Sequence, residues 1–199
     1  DCGGRVVAID LVSLDINLAS LDPRMVDLSV EMYLRALDFG LSIGCQNLTV
    51  NSGRVSALLP PPDDRLIEVY RSSLERIVGA VKQAGIRILL ENIPGSLLAK
   101  AADTAAFLDH EDYDVIDVLF DVTNALAADD DPLAGLDLLI ERTKLIHLSD
   151  APRGAWRHDP IGSGDVDFTA LGKKLHALRY SGSFVIEASS REPLEALEH

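Results

Sequence analysis

The stretch "LIHLSDAPRGAWRHDPIGSGD", Leu145 to Asp165, opens as a buried strand and closes as a loop crowded with reactive side chains. Leu145 and Ile146 carry the apolar run, and His147, Asp150, Arg153, Trp156, Arg157, His158, Asp159 and Asp165 follow, so one loop holds two of the chain's five histidines. Gly162 and Gly164 permit a tight backbone turn, and Asp165 or Asp167 is placed to cap a helix over 167–179. A strand that ends in polar groups and returns through a loop to a helix is one unit of a parallel α/β fold.

The same unit repeats outward in both directions. Short runs rich in β-branched and aliphatic residues predict strands over 5–11, 46–51, 86–92, 115–122, 144–150 and 183–189. Between them lie stretches of helical period. In 63–85, Leu66, Ile67, Tyr70, Leu74, Ile77, Val78 and Val81 form one apolar stripe, with Asp63 and Asp64 at the positive end of the helix dipole and Gly85 at the stop. Further helices are expected near 27–43, 96–109 and 132–142. "PPPDD" (60–64) and "ADDDP" (128–132) read as helix entries. No Gly-rich dinucleotide or phosphate loop follows any strand.

With 199 residues, 47% of them apolar, the chain can build the core of one domain. A formal net charge of -14 repels phosphate backbones and anionic lipid, which argues against nucleic acid and membrane surfaces as partners. Cys2 and Cys45 allow at most one bridge and read as small buried hydrophobes in a reduced, cytoplasmic protein. Residues 1–196 are expected to be a single domain, and Leu197 to His199 a vector-derived tail.

Nearly every expected strand is continuously apolar and then ends in a polar group: Glu91, Asp121, His147 with Asp150, and Glu187. Strands covered on both faces look like this, and parallel α/β folds place function at their carboxyl ends. Any one of these side chains could serve as a cap or half of an ion pair. Three carboxylates and one imidazole converging there need a partner, because a buried carboxylate costs several kcal/mol unless it is paired, hydrogen-bonded or bound to a cation. One divalent ion (Mn, Mg, Co or Zn) suits this oxygen-rich set with one nitrogen.

"LLENIPG", "LFDVTNAL", "IHLSDAPR…HDPIGSGDVDF" and "FVIEAS" together resemble the last four strand-end motifs of the xylose isomerase-like TIM-barrel superfamily. That superfamily includes sugar isomerases, epimerases, inosose dehydratases and endonuclease IV. "DINLAS" and "LTVNSG" are similar to its third- and fourth-strand segments, so the likeness covers essentially the whole chain. The resemblance implies a (β/α)8 TIM barrel present as strands three to eight, with the first two βα units missing at the amino end. It also implies Glu91, Asp121, His147 and Glu187 as metal ligands, with Glu91 and Glu187 exchanging a proton with the carbon beside a carbonyl while the metal stabilises the enediolate. Arg153, His158, Asn51 and Asn124 become candidate contacts to a sugar-like substrate.

The expected function is therefore a mononuclear metal-dependent isomerase or epimerase of a small polyhydroxy carbonyl compound. A dehydratase of a keto-inositol and a non-catalytic sugar-binding barrel are the alternatives, and a homo-oligomer is compatible with all three. Departures from the family pattern narrow the field. Asn51 stands where the fourth-strand motif usually has His, Asn124 where the sixth often has His, and Trp156 where an Asp ligand would precede "RH". A trinuclear endonuclease site is thereby dismantled. Asn124, together with Leu97 in place of an acidic residue, also departs from the ketose 3-epimerases.

Overall fold

The computed structural model describes residues 3–11, 15–56, 58, 63–110 and 113–189. Cys2, residues 60–62 of the expected helix entry and the tail over 197–199 lie outside them. The chain divides into two compact units, the first formed by Asp1–Glu91, Gly95–Leu97 and Tyr113–Asp117, the second by Asn92–Pro94, Leu98–Asp112 and Val118–His199.

In the first unit, helix α1 (Pro23–Ser42) starts four residues before the apolar period suggests. Asp22 explains the early start: its carboxylate accepts the Arg24 N–H at 3.0 Å, and Pro23 sits at the first helical position, where a missing N–H does no harm. Val30, Tyr33, Leu37 and Gly40 form the buried stripe, spaced alternately by three and four residues. Strand β1 (Asn47–Asn51) follows, then helix α2 (Asp63–Ala84), whose predicted stripe is buried at Leu66, Tyr70, Leu74, Ile77, Val78 and Val81. Gly85 ends α2 at φ 70°, and strand β2 (Arg87–Glu91) pairs in parallel with β1, Asn47 opposite Arg87 and Asn51 opposite Glu91.

One expected strand does not form. Over 5–11 the chain makes a single bridge, Ile9 to Leu48, with the Ile9 N–H bonded to Asn47 and its carbonyl accepting from Thr49. Its remaining residues are only partly covered, with Val6 43% exposed, so side-chain burial does not hold a longer ladder in register.

The second unit holds helix α3 (Ala101–His110), then most of strand β3 (Ile116–Asp121), helix α4 (Val122–Ala127), helix α5 (Pro132–Leu139), strand β4 (Thr143–Leu148), helix α6 (Phe168–Ala177) and strand β5 (Ser183–Ile186). α3 begins at Ala101 rather than near 96, its first N–H bonded to the Asp130 carboxylate at 2.9 Å. α4 was not legible as a helix: the apolar run of β3 passes directly into it at the Asp121 cap. Asp131 caps α5 with Pro132 at its first position, and Asp167 caps α6. Parallel pairing joins β3 to β4 and β4 to β5.

β3 is buried at every residue, as expected of a strand covered on both faces. β5 is not: Phe184 and Ile186 are 49% and 48% exposed, so the double coverage read from its apolar sequence fails among the described residues. Packing in this unit is close where α5 crosses β3. A Cβ on Gly135 would lie 2.8 Å from Phe120 Cζ and 3.1 Å from Ala101 Cβ. Gly135→Ala is therefore expected to destabilise by about 1–3 kcal/mol through overpacking, against the ~1 kcal/mol gain that helix propensity alone would give. Urea denaturation of the two proteins decides the sign.

Candidate metal centre

Strand register brings the candidate ligands together. Asp121 of β3 pairs with His147 of β4, and Glu187 follows Ile186, which pairs with Leu148. The Glu187 N–H continues that ladder to the Leu148 carbonyl at 3.0 Å. Three parallel strands thus end level, with one ligand atom each of Asp121, His147 and Glu187 within 4.8 Å of one another. His147 Nδ1 lies 2.7 Å from Glu187 Oε2 and 3.9 Å from Asp121 Oδ2. Glu91 ends β2 in the first unit, itself buried.

Asp121 is fully buried, and its two oxygens do different things. Oδ1 accepts the backbone N–H groups of Thr123 and Asn124, both at 2.7 Å, and so caps α4. Oδ2 is buried with no hydrogen-bond partner among the described residues. Burial pushes this carboxyl up to about 6, outweighing the Asn124 N–H and the nearby imidazoles of His158 and His147. Glu187 moves the other way. Its partial burial would raise it, but the hydrogen bond and charge of His147, followed by His158, hold it below the ordinary value. An orphaned buried carboxylate oxygen, a second carboxylate and an imidazole within reach are a donor set that fits a hard or borderline divalent cation.

His158 joins this cluster. Its Nδ1 lies 3.6 Å from Glu187 Oε2, 3.9 Å from Asp121 Oδ2 and 3.1 Å from Ser149 Oγ. The loop that delivers it folds around the Asp150 carboxylate, which accepts the N–H groups of Ala151, Gly162 and Val166. Gly162 turns its N–H toward Asp150 at φ 87°, and backbone bonds in both directions join Asp150 to Asp159. The His158 carbonyl then accepts from Ser189 at 2.6 Å.

The other expected contacts, Arg153, Asn124 and Asn51, each have surroundings of their own. Arg153 lies within the Pro152–Ala155 turn and lines a cavity of about 120 Å³ with Leu126, Leu133, Val166 and Leu171, which none of Asp121, His147 and Glu187 lines. Arg157 pairs with Asp159 at 2.5 Å. Asn124 Oδ1 accepts the Trp156 indole N–H at 2.9 Å, and Asn51 Oδ1 accepts the Gly53 N–H in the first unit. Asn92 is zipped to the Asp121 backbone through both its amide atoms. The residues that sequence reasoning missed are Thr123 and Ser149, both buried, each two positions after a candidate ligand. That spacing was the available signal, since such a residue turns back toward the strand end.

Between pH 3.8 and about 6, the folded chain holds a proton on Asp121 that the unfolded chain has released. Asp121's contribution to the stability of the metal-free protein therefore falls as pH rises through that window. Asp121→Asn keeps the Oδ1 acceptor and removes the charge. At pH 7.5 in chelator it is expected to equal or exceed the parent in stability, by up to about 1–3 kcal/mol, with the advantage shrinking toward pH 4 while metal affinity drops at least tenfold. Thermal melts across pH and a metal titration measure both.

The sequence profile described as "Xylose isomerase-like TIM barrel" matches residues 3–199. The chain is 41% identical over 83 residues to a protein of Escherichia coli (strain K12) named "Putative L-ribulose-5-phosphate 3-epimerase SgbU", covering 37% of this chain and 29% of that protein. A Haemophilus influenzae protein of the same name is 23% identical over 184 residues, covering 88% of this chain and 64% of its own length. The chain thus spans less than two thirds of the length of either relative. Among solved structures, a D-tagatose 3-epimerase-like protein shares the fold with a TM-score of 0.86 at 24% identity, over 96% of this chain and 74% of the other. With strand-end carboxylates, an imidazole and parallel βα units already in place, the profile match assigns the chain to the xylose isomerase-like TIM-barrel family.

Proposed function

We infer that the protein is a divalent-metal-dependent sugar epimerase, acting on the carbon beside the carbonyl of a ketose. The observation that carries this reading is the buried Oδ2 of Asp121, without a hydrogen-bond partner among the described residues, beside the His147–Glu187 pair. Asp121, His147 and Glu187 would hold the ion, and Glu91, at the buried end of β2, would be the fourth ligand. When bound, the ion supplies Lewis acidity toward adjacent carbonyl and hydroxyl oxygens of the substrate.

The side chains have separable tasks in this reading. Glu187 is half-buried and kept ionised by His147, the state a group needs to take a proton from carbon near neutral pH. A proton returned to the same carbon from the other face inverts it, the role that the family likeness implies for Glu91. Asp121 holds its place through the α4 cap while its second oxygen remains available. Substrate class follows the names of the sequence relatives, which point to 3-epimerisation of a ketopentose or its phosphate. Asn124 and Trp156, at the positions where a trinuclear endonuclease would carry ligands, are bonded to each other, which supports the sugar reading over abasic-site cleavage.

Metal content by mass spectrometry, with solvent deuterium incorporation into L-ribulose, D-tagatose, D-allulose and L-ribulose 5-phosphate, tests the proposal. About one ion per chain and deuterium at C3 of both epimers are expected. Glu187→Gln should lower turnover by roughly 10²–10⁴, the range removed with a positioned acid or base. A chain that binds no added metal and exchanges no proton overturns the reading. So does a product lighter by one water, which would make the protein a dehydratase.

A further inference from the structure

Beside the ligand cluster, three side chains form a hydrogen-bond chain whose direction can be deduced. Thr123 Oγ1 donates to the Ser149 carbonyl at 2.7 Å, an acceptor with no proton to return. Its single hydroxyl proton is thereby used, so the 2.9 Å contact between Thr123 Oγ1 and Ser149 Oγ has Ser149 as donor. Ser149 has then used its own proton as well. The 3.1 Å contact between Ser149 Oγ and His158 Nδ1 therefore needs a proton on the ring nitrogen. Thr123 and Ser149 are 0% exposed, so solvent does not offer either hydroxyl an alternative partner.

We propose that Thr123 and Ser149 are positioning residues that hold a proton on His158 Nδ1, so that Nε2 is the ring nitrogen left to accept from a substrate hydroxyl. The tautomer stands on the hydrogen bonds alone, and only the substrate contact rests on the epimerase reading. The assignment separates two roles for this histidine. At 3.6 and 3.9 Å from the two carboxylates, a bare Nδ1 would be placed to join the ligand set. An N–H cannot, because a metal ligand must offer a lone pair. The chain of hydroxyls thus keeps His158 beside the centre while holding its Nδ1 out of the coordination sphere.

Thr123 and His158 have no hydrogen bond to each other in this chain, which makes Thr123→Val the informative variant. It removes the acceptor for the Ser149 hydroxyl, whose proton then turns to His158 Nδ1 and drives the ring proton to Nε2. Imidazole ¹⁵N–¹H spectra of the whole protein would be read at mildly alkaline pH, stripped with chelator and reloaded with diamagnetic zinc. The His158 signals are assigned by their loss in His158→Gln. The Nδ1–H pattern is expected for the parent in both states, and the Nε2–H pattern for Thr123→Val. An Nε2–H parent overturns the proposal, as does a folded Thr123→Val whose tautomer is unchanged. Should that variant not fold, Ser149→Ala takes its place, with loss of the single Nδ1–H population expected and its retention overturning the assignment.

On a ketose found to be turned over, Thr123→Val is expected to raise KM about tenfold with metal stoichiometry preserved. Loss of metal from Thr123→Val would make His158 a ligand, and an unchanged KM with metal retained would remove its substrate contact; either overturns that part of the proposal. If no ketose reacts, the functional reading and the substrate contact fall together, while the tautomer is still decided by the spectra.

Discussion

A single carboxylate, Asp121, ties the fold of the second unit to its chemistry. One oxygen takes two backbone N–H groups and so starts α4 directly from the end of β3; the other is buried without a hydrogen-bond partner among the described residues. An acid in that position is costly to ionise in the absence of a cation, since desolvation removes its water and the cap satisfies only half of it. The helix cap rigidifies the group, and a preorganised ligand loses little freedom when an ion binds. Stability and function therefore pull in opposite directions at this residue, as is common where a site retains buried charge.

The surroundings of Asp121 extend the same logic. Asn92 pairs with its backbone, His147 and Glu187 face its open side, and the Thr123–Ser149 hydroxyls connect α4 to the strand end and on to His158. His158 is itself set by a loop wound on the Asp150 carboxylate, with three backbone N–H groups as its partners. Gly164 crosses so close to Ala151 that a Cβ there would meet its backbone at 2.5 Å. These are neighbouring networks of backbone-anchored polar groups, one presenting an oxygen without a hydrogen-bond partner among the described residues and the other with both carboxylate oxygens accepting backbone N–H groups. The contrast explains why the first is the candidate cation site and the second is scaffold.

Much of this was legible in the chain. Periodicity located α2 and its buried stripe, the Asp131–Pro132 pair marked the start of α5, and apolar runs ending in Asp121, His147 and Glu187 marked the strand ends that the register brings level. Local signals of this kind survive because capping, helix period and strand burial are decided by residues near in sequence. The same signals failed where pairing was needed to complete them: 5–11 makes one bridge, and β5 leaves Phe184 and Ile186 half exposed.

The sequence by itself determined the class of fold, the order of βα units and the identity of the polar residues at their ends, because each depends on spacing along the chain. Tertiary structure alone decided which oxygen of Asp121 is left open, that His158 enters the cluster while Arg153 turns to a cavity elsewhere, and that Asn124 holds Trp156. Those outcomes depend on atoms brought together from distant loops. Hydrogen-bond direction and desolvation act over a few ångströms in space, whatever the separation in sequence.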